Sequence, residues 1–374
     1  MPEGSGRKGR AMQQQKISLS GPPDLLAVLP YHLGFHPTRS VVVVCLHQKQ
    51  LGLVARYDAV SELSAAAAVA ASVLPVLRRE APSGVMLIGY EEEPGESAPL
   101  SEAIAAGLAL ERISLIDRIV VRGDRWTGLM CTCCPDEPVP APHEVGAVAT
   151  YVGLGRAALA SRDELAATIR PSTPAPPGLC EAIDAWVDEV VDGDRLLAAV
   201  HPPGSGLHRP ITWADYCLAV WADFLAGHFD DRAVPERQLC LLLGSLRHRS
   251  LRDGIIAVLC PGSLELDLLD SRLVALLDDH LEPVLEDLED EEASDEDLRA
   301  MLRSRLERLC RLAPDAHAAP ILTVTGAQAW FDGDGAGARV AIDRALEVEP
   351  GHVLARLVEQ LLDLGVRPPG CTAA

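Results

Sequence analysis

Lysine is nearly missing from this chain of 374 residues: Lys8, Lys16 and Lys49 are the only ones, and arginine carries the rest of the positive charge. Acidic residues outnumber Lys and Arg by 54 to 33, leaving a formal net charge of -21. A phosphate backbone is held by clustered Lys and Arg that displace its counterions, so this balance argues against a nucleic-acid partner. Aromatic residues are also scarce, at 4%, which predicts cores built on Leu, Val and Ala. No apolar run approaches the roughly 18 residues of a membrane span, and the first residues lack the apolar centre of a secretory signal. These features predict a cytoplasmic chain with no membrane partner. The sequence has no Gly-rich phosphate loop, no Gly-x-Ser-x-Gly elbow and no Gly-x-Gly-x-x-Gly after a strand. The familiar fingerprints of phosphate, acyl and dinucleotide chemistry are therefore missing.

What is present is a globular composition, 48% hydrophobic and 23% charged, over a length that supports two or three domains. Cysteines in a cytoplasmic chain stay reduced. Six of them, Cys45, Cys180, Cys217, Cys240, Cys260 and Cys310, sit singly in apolar segments and read as small core residues.

Residues 1–16 are polar, Gly-rich and basic, and read as a disordered tail. Residues 17–170 read as one α/β domain. Helical spacing over 25–33 stops at Gly34, and a valine-rich strand follows over 40–46. A hairpin partner spans 51–58. Next come a helix over 61–79 with Ser61 at its N-cap, a strand over 84–90, a helix over 100–112 and a strand over 115–122. The Gly123-Asp124 turn then sends a return strand through 125–131. That order predicts a mixed sheet. Helices over 143–160 and 162–169 complete the domain.

Residues 171–178 form a Pro-rich linker, and 179–312 read as a helical domain with helices over 179–200, 213–226, 236–247 and 251–259. Thr212 with Asp215, and Ser294 with Asp297, carry the start signal of capped helices. Residues 278–297 hold twelve acidic side chains and no Lys or Arg. Within them 286–297 read as a solvated loop, since like-charged blocks usually solvate and the order of a calcium loop is absent. Residues 313–366 read as three short helices, over 320–330, 337–348 and 352–364. Aligning Pro350 with the closing proline of a tetratricopeptide unit places Gly326, Ala329, Ala338 and Ala345 at that repeat's small-residue positions. One such unit without a second copy predicts a helical hairpin capping the helical domain rather than a peptide-binding superhelix, and a protein partner would be met through these C-terminal helices. Residues 367–374 are a tail.

The densest chemistry lies in the hairpin that carries Arg125, Trp126, Cys131, Cys133 and Cys134. Three thiolates with His143 or His36 would satisfy zinc, although a second Cys-x-x-Cys is missing and adjacent cysteines point apart along an extended chain. A low-pKa thiol would need a nearby cation, such as Arg125 or a histidine from the loop over 31–37. Plain packing at a hairpin end is the reading the spacing favours. His32 and His36 share a helix face only if the helix runs through Gly34, so they read as polar lining of that loop.

Several stretches together resemble a known family: Asp24 to Pro37 before Ser40-Val-Val-Val-Val44, Arg125-Trp126 before Cys131-Thr-Cys-Cys-Pro135, and Trp330-Phe-Asp-Gly-Asp-Gly335 with Ala345-Leu346 and Pro350. The family is actinobacterial and catalogued as domain of unknown function 4192. The resemblance implies no activity and no cofactor. Its pattern has a longer spacer between the first cysteine and Cys-Cys-Pro, whereas only Thr132 stands there in this chain. Such a shortening argues against Cys131 and Cys133 as paired ligands. The chain as a whole reads as a non-catalytic binding or regulatory protein, with a thiol- or zinc-dependent enzyme or sensor as the alternative.

Overall fold

The computed structural model describes residues 19, 21–48, 50–130, 136–153, 155–192, 195–200, 211–290 and 294–369. Two compact units divide at residues 164 and 165.

The first unit opens with α1 (Pro22–Leu33), which ends where Gly34 takes a left-handed φ of 78°. A side chain rarely adopts that conformation, which is why glycine stops the helix. The strands are β1 (Ser40–His47), β2 (Gln50–Asp58), β3 (Gly84–Tyr90), β4 (Leu115–Arg122), β5 (Arg125–Gly128) and β6 (Glu137–Pro138). Helix α2 (Leu63–Glu80) joins β2 to β3, and α3 (Ala98–Leu110) joins β3 to β4. The sheet order is β2-β1-β3-β4-β5-β6, with only β3 and β4 parallel. It is mixed, as expected, and gains β6 beyond the strands read from the sequence.

Alternation sorts the side chains of this sheet. Val41, Val43, Cys45, Val85 and Leu87 form one core with Ala66, Ala70, Val73, Leu100, Ile104 and Leu108 of α2 and α3. Val42, Val44 and Ile88 point the other way and are fully buried too, which explains why β1 and β3 read as continuous apolar runs. Helix α1 also packs Ala27 and Val28 against Val145, Val148 and Tyr151 of the segment containing α4 (Gly146–Gly153).

Several local expectations are corrected. Glu62, in an extended conformation, precedes α2, so Ser61 is not its N-cap. The return strand stops at Gly128. The helix expected over 143–160 is only a turn at Pro142–Glu144 and then α4; Leu159 instead bridges to Phe35, where it exchanges backbone hydrogen bonds with Gly34 and His36 at 2.9 Å. Apolar spacing marked a buried segment here but could not separate helix from bridge.

The second unit begins beside α5 (Arg162–Ala167) and is built on α6 (Leu179–Trp186), α7 (Trp213–Leu225), α8 (Glu236–Ser245), α9 (Arg249–Leu259), α10 (Ser271–Asp290), α11 (Asp295–Leu312), α12 (Asp315–Phe331), α13 (Gly335–Val348) and α14 (Val353–Asp363). This half is helical, apart from the two-residue pairing of β7 (Ala199–Val200) with β8 (Ile211–Thr212). The helix expected over 179–200 gives way there, after a π-helical turn at Val187–Val191. The Thr212 and Ser294 capping boxes form as read. Residues 286–290 belong to α10 and are not loop: its apolar face, with Leu281, Leu285 and Leu288 buried, holds the helix despite the acidic charge.

One continuous core runs from Ile169 to Val358. Arg305 and Arg308 of α11 brace the turn after α7: Arg308 donates to the carbonyls of Phe229 and Arg232 at 2.5 Å, and Arg305 pairs with Asp230 at 2.9 Å. Helices α12 and α13 approach closely, since a Cβ on Gly326 would lie 2.8 Å from Ile342 and 3.4 Å from the Ala338 carbonyl.

Candidate functional site

The carboxyl ends of the parallel strands β3 and β4 are where an α/β sheet usually gathers its ligands. At that end, Ser40 pairs with Tyr90, Tyr90 with Val121, and Val121 with Trp126. Directly paired residues share a sheet face, so this row runs Ser40, Tyr90, Val121, Trp126 across β1, β3, β4 and β5 on the face opposite α2 and α3, with Val121 between the two aromatic residues. All four are buried, and the Ser40 hydroxyl, the Tyr90 hydroxyl and the Trp126 indole nitrogen have no hydrogen-bond partner among the described residues. Burial pushes the Tyr90 phenol well above its ordinary range, keeping it protonated.

Ionic pairs ring this sheet end. Arg56 and Asp58 of β2 share the row's face and meet at 2.6 Å. Arg56 also lies 6.0 Å from the Phe35 ring centroid, a cation–π arrangement. Arg39 takes a left-handed φ of 44° and reaches Glu96 at 2.5 Å. Hydrogen bonding to Arg39 lowers the pKa of Glu96. On the opposite face Glu91 is buried and accepts from the Ser97 hydroxyl at 2.6 Å and from the Ser97 and Gly95 backbone N–H groups at 3.1 and 3.0 Å. It also pairs with Arg122 at 3.3 Å. A Cβ on Gly89 would lie 2.0 Å from the Ser97 hydroxyl, so glycine leaves the room this carboxylate cradle needs.

The residues singled out by sequence fall in different places. Trp126 is in the buried row; Arg125, next to it, is half exposed and pairs with Asp136 at 2.8 Å. The loop with His36 leads into β1, whose first residue opens the same row, so two segments nearly a hundred residues apart reach one sheet end. His36 itself is exposed, and its backbone N–H donates to Leu159. His32 turns to α4 and shares a 2.9 Å hydrogen bond with the Tyr151 hydroxyl. Burial, reinforced by the charge of Arg156, lowers His32 to about 4, while burial pushes Tyr151 up to about 12. The pair is therefore neutral near pH 7. His143 is exposed in the turn before α4. Cys131, Cys133 and Cys134 lie outside the described residues. Among the described residues, no group of three or more His, Cys, Asp or Glu is placed to hold a metal ion.

Sequence reasoning missed Ser40 and Tyr90. Each ends a run that reads only as buried strand, and no local signal distinguishes a hydroxyl that finds a partner from one that does not.

In the helical unit two histidines are buried with unpartnered ring nitrogens: His317 on α12 and His352 before α14. His317 lies 3.4 Å from Asp184. A second feature is the outer side of α14. Ala355 and Val358 are buried, whereas Val353, Leu357 and Leu364 are 68%, 52% and 51% exposed. Positions i, i+4 and i+11 fall on one stripe of a helix, so these side chains form a single exposed apolar ridge.

Comparison with known proteins defines a class first: residues 22–369 match the family model described as Domain of unknown function (DUF4192). The chain belongs to that family. No curated protein and no solved structure matches it.

Proposed function

We propose that the chain is a non-catalytic cytoplasmic binding or regulatory protein that engages a protein partner along α14. The exposed ridge of Val353, Leu357 and Leu364 carries this reading. Three large apolar side chains on one stripe of a helix suit an apolar groove on a partner, the helix-in-groove mode of recognition. The net charge of -21 disfavours a second copy of the chain and favours a partner with basic residues flanking that face.

The test is site-specific crosslinking of the full chain in native cytosol from a photoreactive residue at position 360. A single partner should be captured, lost in Val353→Glu/Leu357→Glu and retained in Leu110→Glu, a substitution at an exposed leucine of the other unit. Capture that survives both changes on α14 refutes the docking surface, and turnover in a broad substrate screen refutes the non-catalytic reading. The competing thiol or zinc reading rests on Cys131, Cys133 and Cys134; metal content tests the zinc half of it and thiol titration before and after unfolding the other.

A further inference from the structure

The open edge of the sheet is an interaction surface independent of α14. Strand β2 is hydrogen-bonded to β1 alone. Ala59 donates its backbone N–H to the Arg39 carbonyl at 2.8 Å, so in this antiparallel register Tyr57 and Ala55 also turn their backbone groups toward β1. Val54, Arg56 and Asp58 therefore turn theirs outward. Among the described residues no backbone partner meets these outward groups. An unpaired row of this kind is a template for another strand. The first half of β2 does not belong to it: the register shifts opposite Val44 and Leu46, and there the Leu53 N–H donates to the Glu80 carboxylate at 3.3 Å. The regular edge spans 54–59. We infer that the chain forms a two-fold dimer in which β2 pairs antiparallel with β2 of a second copy, Arg56 lying opposite the partner's Asp58, so that the two sheets become one.

Charge selects both the occupant and the register. In a two-fold pair the same strand supplies both sides, and outward-facing residues must stand opposite outward-facing ones for their backbone groups to bond. An axis through Arg56 would set two guanidinium groups directly opposite each other, and one through Asp58 two carboxylates; like charges so placed are destabilising. An axis through Val54 or Ala55 brings in the irregular half of the strand. An axis through Tyr57 sets Arg56 opposite the partner's Asp58, and Asp58 opposite the partner's Arg56. Each of those pairs exchanges two backbone hydrogen bonds and joins opposite charges. The Asp58 side chain is 79% exposed and meets Arg56 of its own strand at 2.6 Å, so the dimer gathers two arginines and two carboxylates into one alternating cluster. At the axis Tyr57, half-buried against the core beneath α2, meets its symmetry mate in the pair type where side chains stand closest. The net charge of -21 opposes self-association in general, but that repulsion is screened over about 8 Å at physiological ionic strength. At this edge Arg56 and Asp58 balance, and the local attraction prevails.

Sedimentation equilibrium of the full chain at physiological salt, across the micromolar range, tests the inference and should show monomer in equilibrium with dimer. Asp58→Arg and Arg56→Glu should each weaken the dimer at least tenfold, with thermal unfolding to confirm that each variant is folded. Mixing the two variants should restore it, because only the mixed pair sets opposite charges at both positions. Tyr57→Cys probes the register without changing charge, and keeps the test open should Arg56→Glu fail to fold. Positions paired without backbone bonds stand within disulfide reach, so oxidation should join two chains through position 57, as located by mass spectrometry. Ala55→Cys should not crosslink to itself, since an axis at Tyr57 holds the two copies of position 55 farther apart than the about 7 Å a disulfide spans. A chain that stays monomeric throughout the range overturns the inference. So does a dimer that Asp58→Arg leaves intact, or one crosslinked through Ala55→Cys in place of Tyr57→Cys.

Discussion

Arg303 of α11 donates through Nη1 to the Asp334 carboxylate at 2.9 Å, and that carboxylate also caps α13 by accepting the Gly337 backbone N–H at 2.8 Å. One side chain thus anchors a helix start and ties it to a neighbouring helix. Beside it Asp332, almost fully buried, accepts from Gln328 at 2.5 Å; burial raises its pKa, with Arg303 and Arg299 opposing. Asp334→Ala should cost about 1–2 kcal/mol, the usual worth of an N-cap plus a partly buried pair. Asp334→Asn keeps the cap and should cost less. Denaturant unfolding of both variants checks the order, and equal losses would assign the effect to the charge pair alone.

Acid should weaken the fold through its buried histidines. Burial lowers His32 to about 4, below an unfolded value near 6.5. Burial, aided by Arg247, likewise lowers His317 and His352 against the pull of Asp184 and Glu349, with Arg252 also acting on His352. Between the folded and unfolded pKa the unfolded chain binds more protons, so stability rises with pH. The contribution is complete above about pH 6.5 and falls away toward about 4 for His32. The His32 shift corresponds to roughly 3 kcal/mol. Unfolding free energies measured across that window should show a shallower slope in His32→Gln. An unchanged slope would mean that His32 titrates alike in both states.

Gly89 should not tolerate a side chain. Alanine there would drive Cβ into the Ser97 hydroxyl, which donates to the buried Glu91 carboxylate. Gly89→Ala is expected to destabilise by about 2–3 kcal/mol through overpacking and loss of that hydrogen bond. Pairing it with Ser97→Gly, which removes the clashing atom, should recover part of the loss. A cost unchanged in the double variant would place the strain elsewhere.

The thiols should divide by burial. Cys217, Cys260 and Cys310 are buried, and burial raises each pKa, Cys310 to about 12. A thiol held protonated and inaccessible is inert. Titration of the native chain near neutral pH should therefore leave these three silent until denaturant is added. Elemental analysis of protein purified without chelator or affinity nickel should find no stoichiometric zinc if the Cys131–Cys134 stretch only packs. About one zinc per chain, abolished by Cys133→Ser/Cys134→Ser, would favour the metal reading.

Local patterning by itself determined most elements of this protein. The valine run of β1, the Gly34 stop of α1 and the capping boxes at Thr212 and Ser294 rest on short-range sterics and hydrogen bonds, which neighbouring residues specify. Tertiary packing overrode that pattern where helices expected over 143–160 and 179–200 were cut short by a bridge to Phe35 and by the β7–β8 pairing. It also made helix of acidic residues 286–290, because buried leucines outweighed the charge. The row of Ser40, Tyr90 and Trp126 was decided only in three dimensions. Each residue's buried face follows from its own strand, but placing a serine, a tyrosine and a tryptophan in one row across β1, β3, β4 and β5 depends on strand order and register. The hairpin that pairs Val121 with Trp126 is local, but the pairings of Ser40 with Tyr90 and of Tyr90 with Val121 join residues far apart in the chain, which no local spacing records.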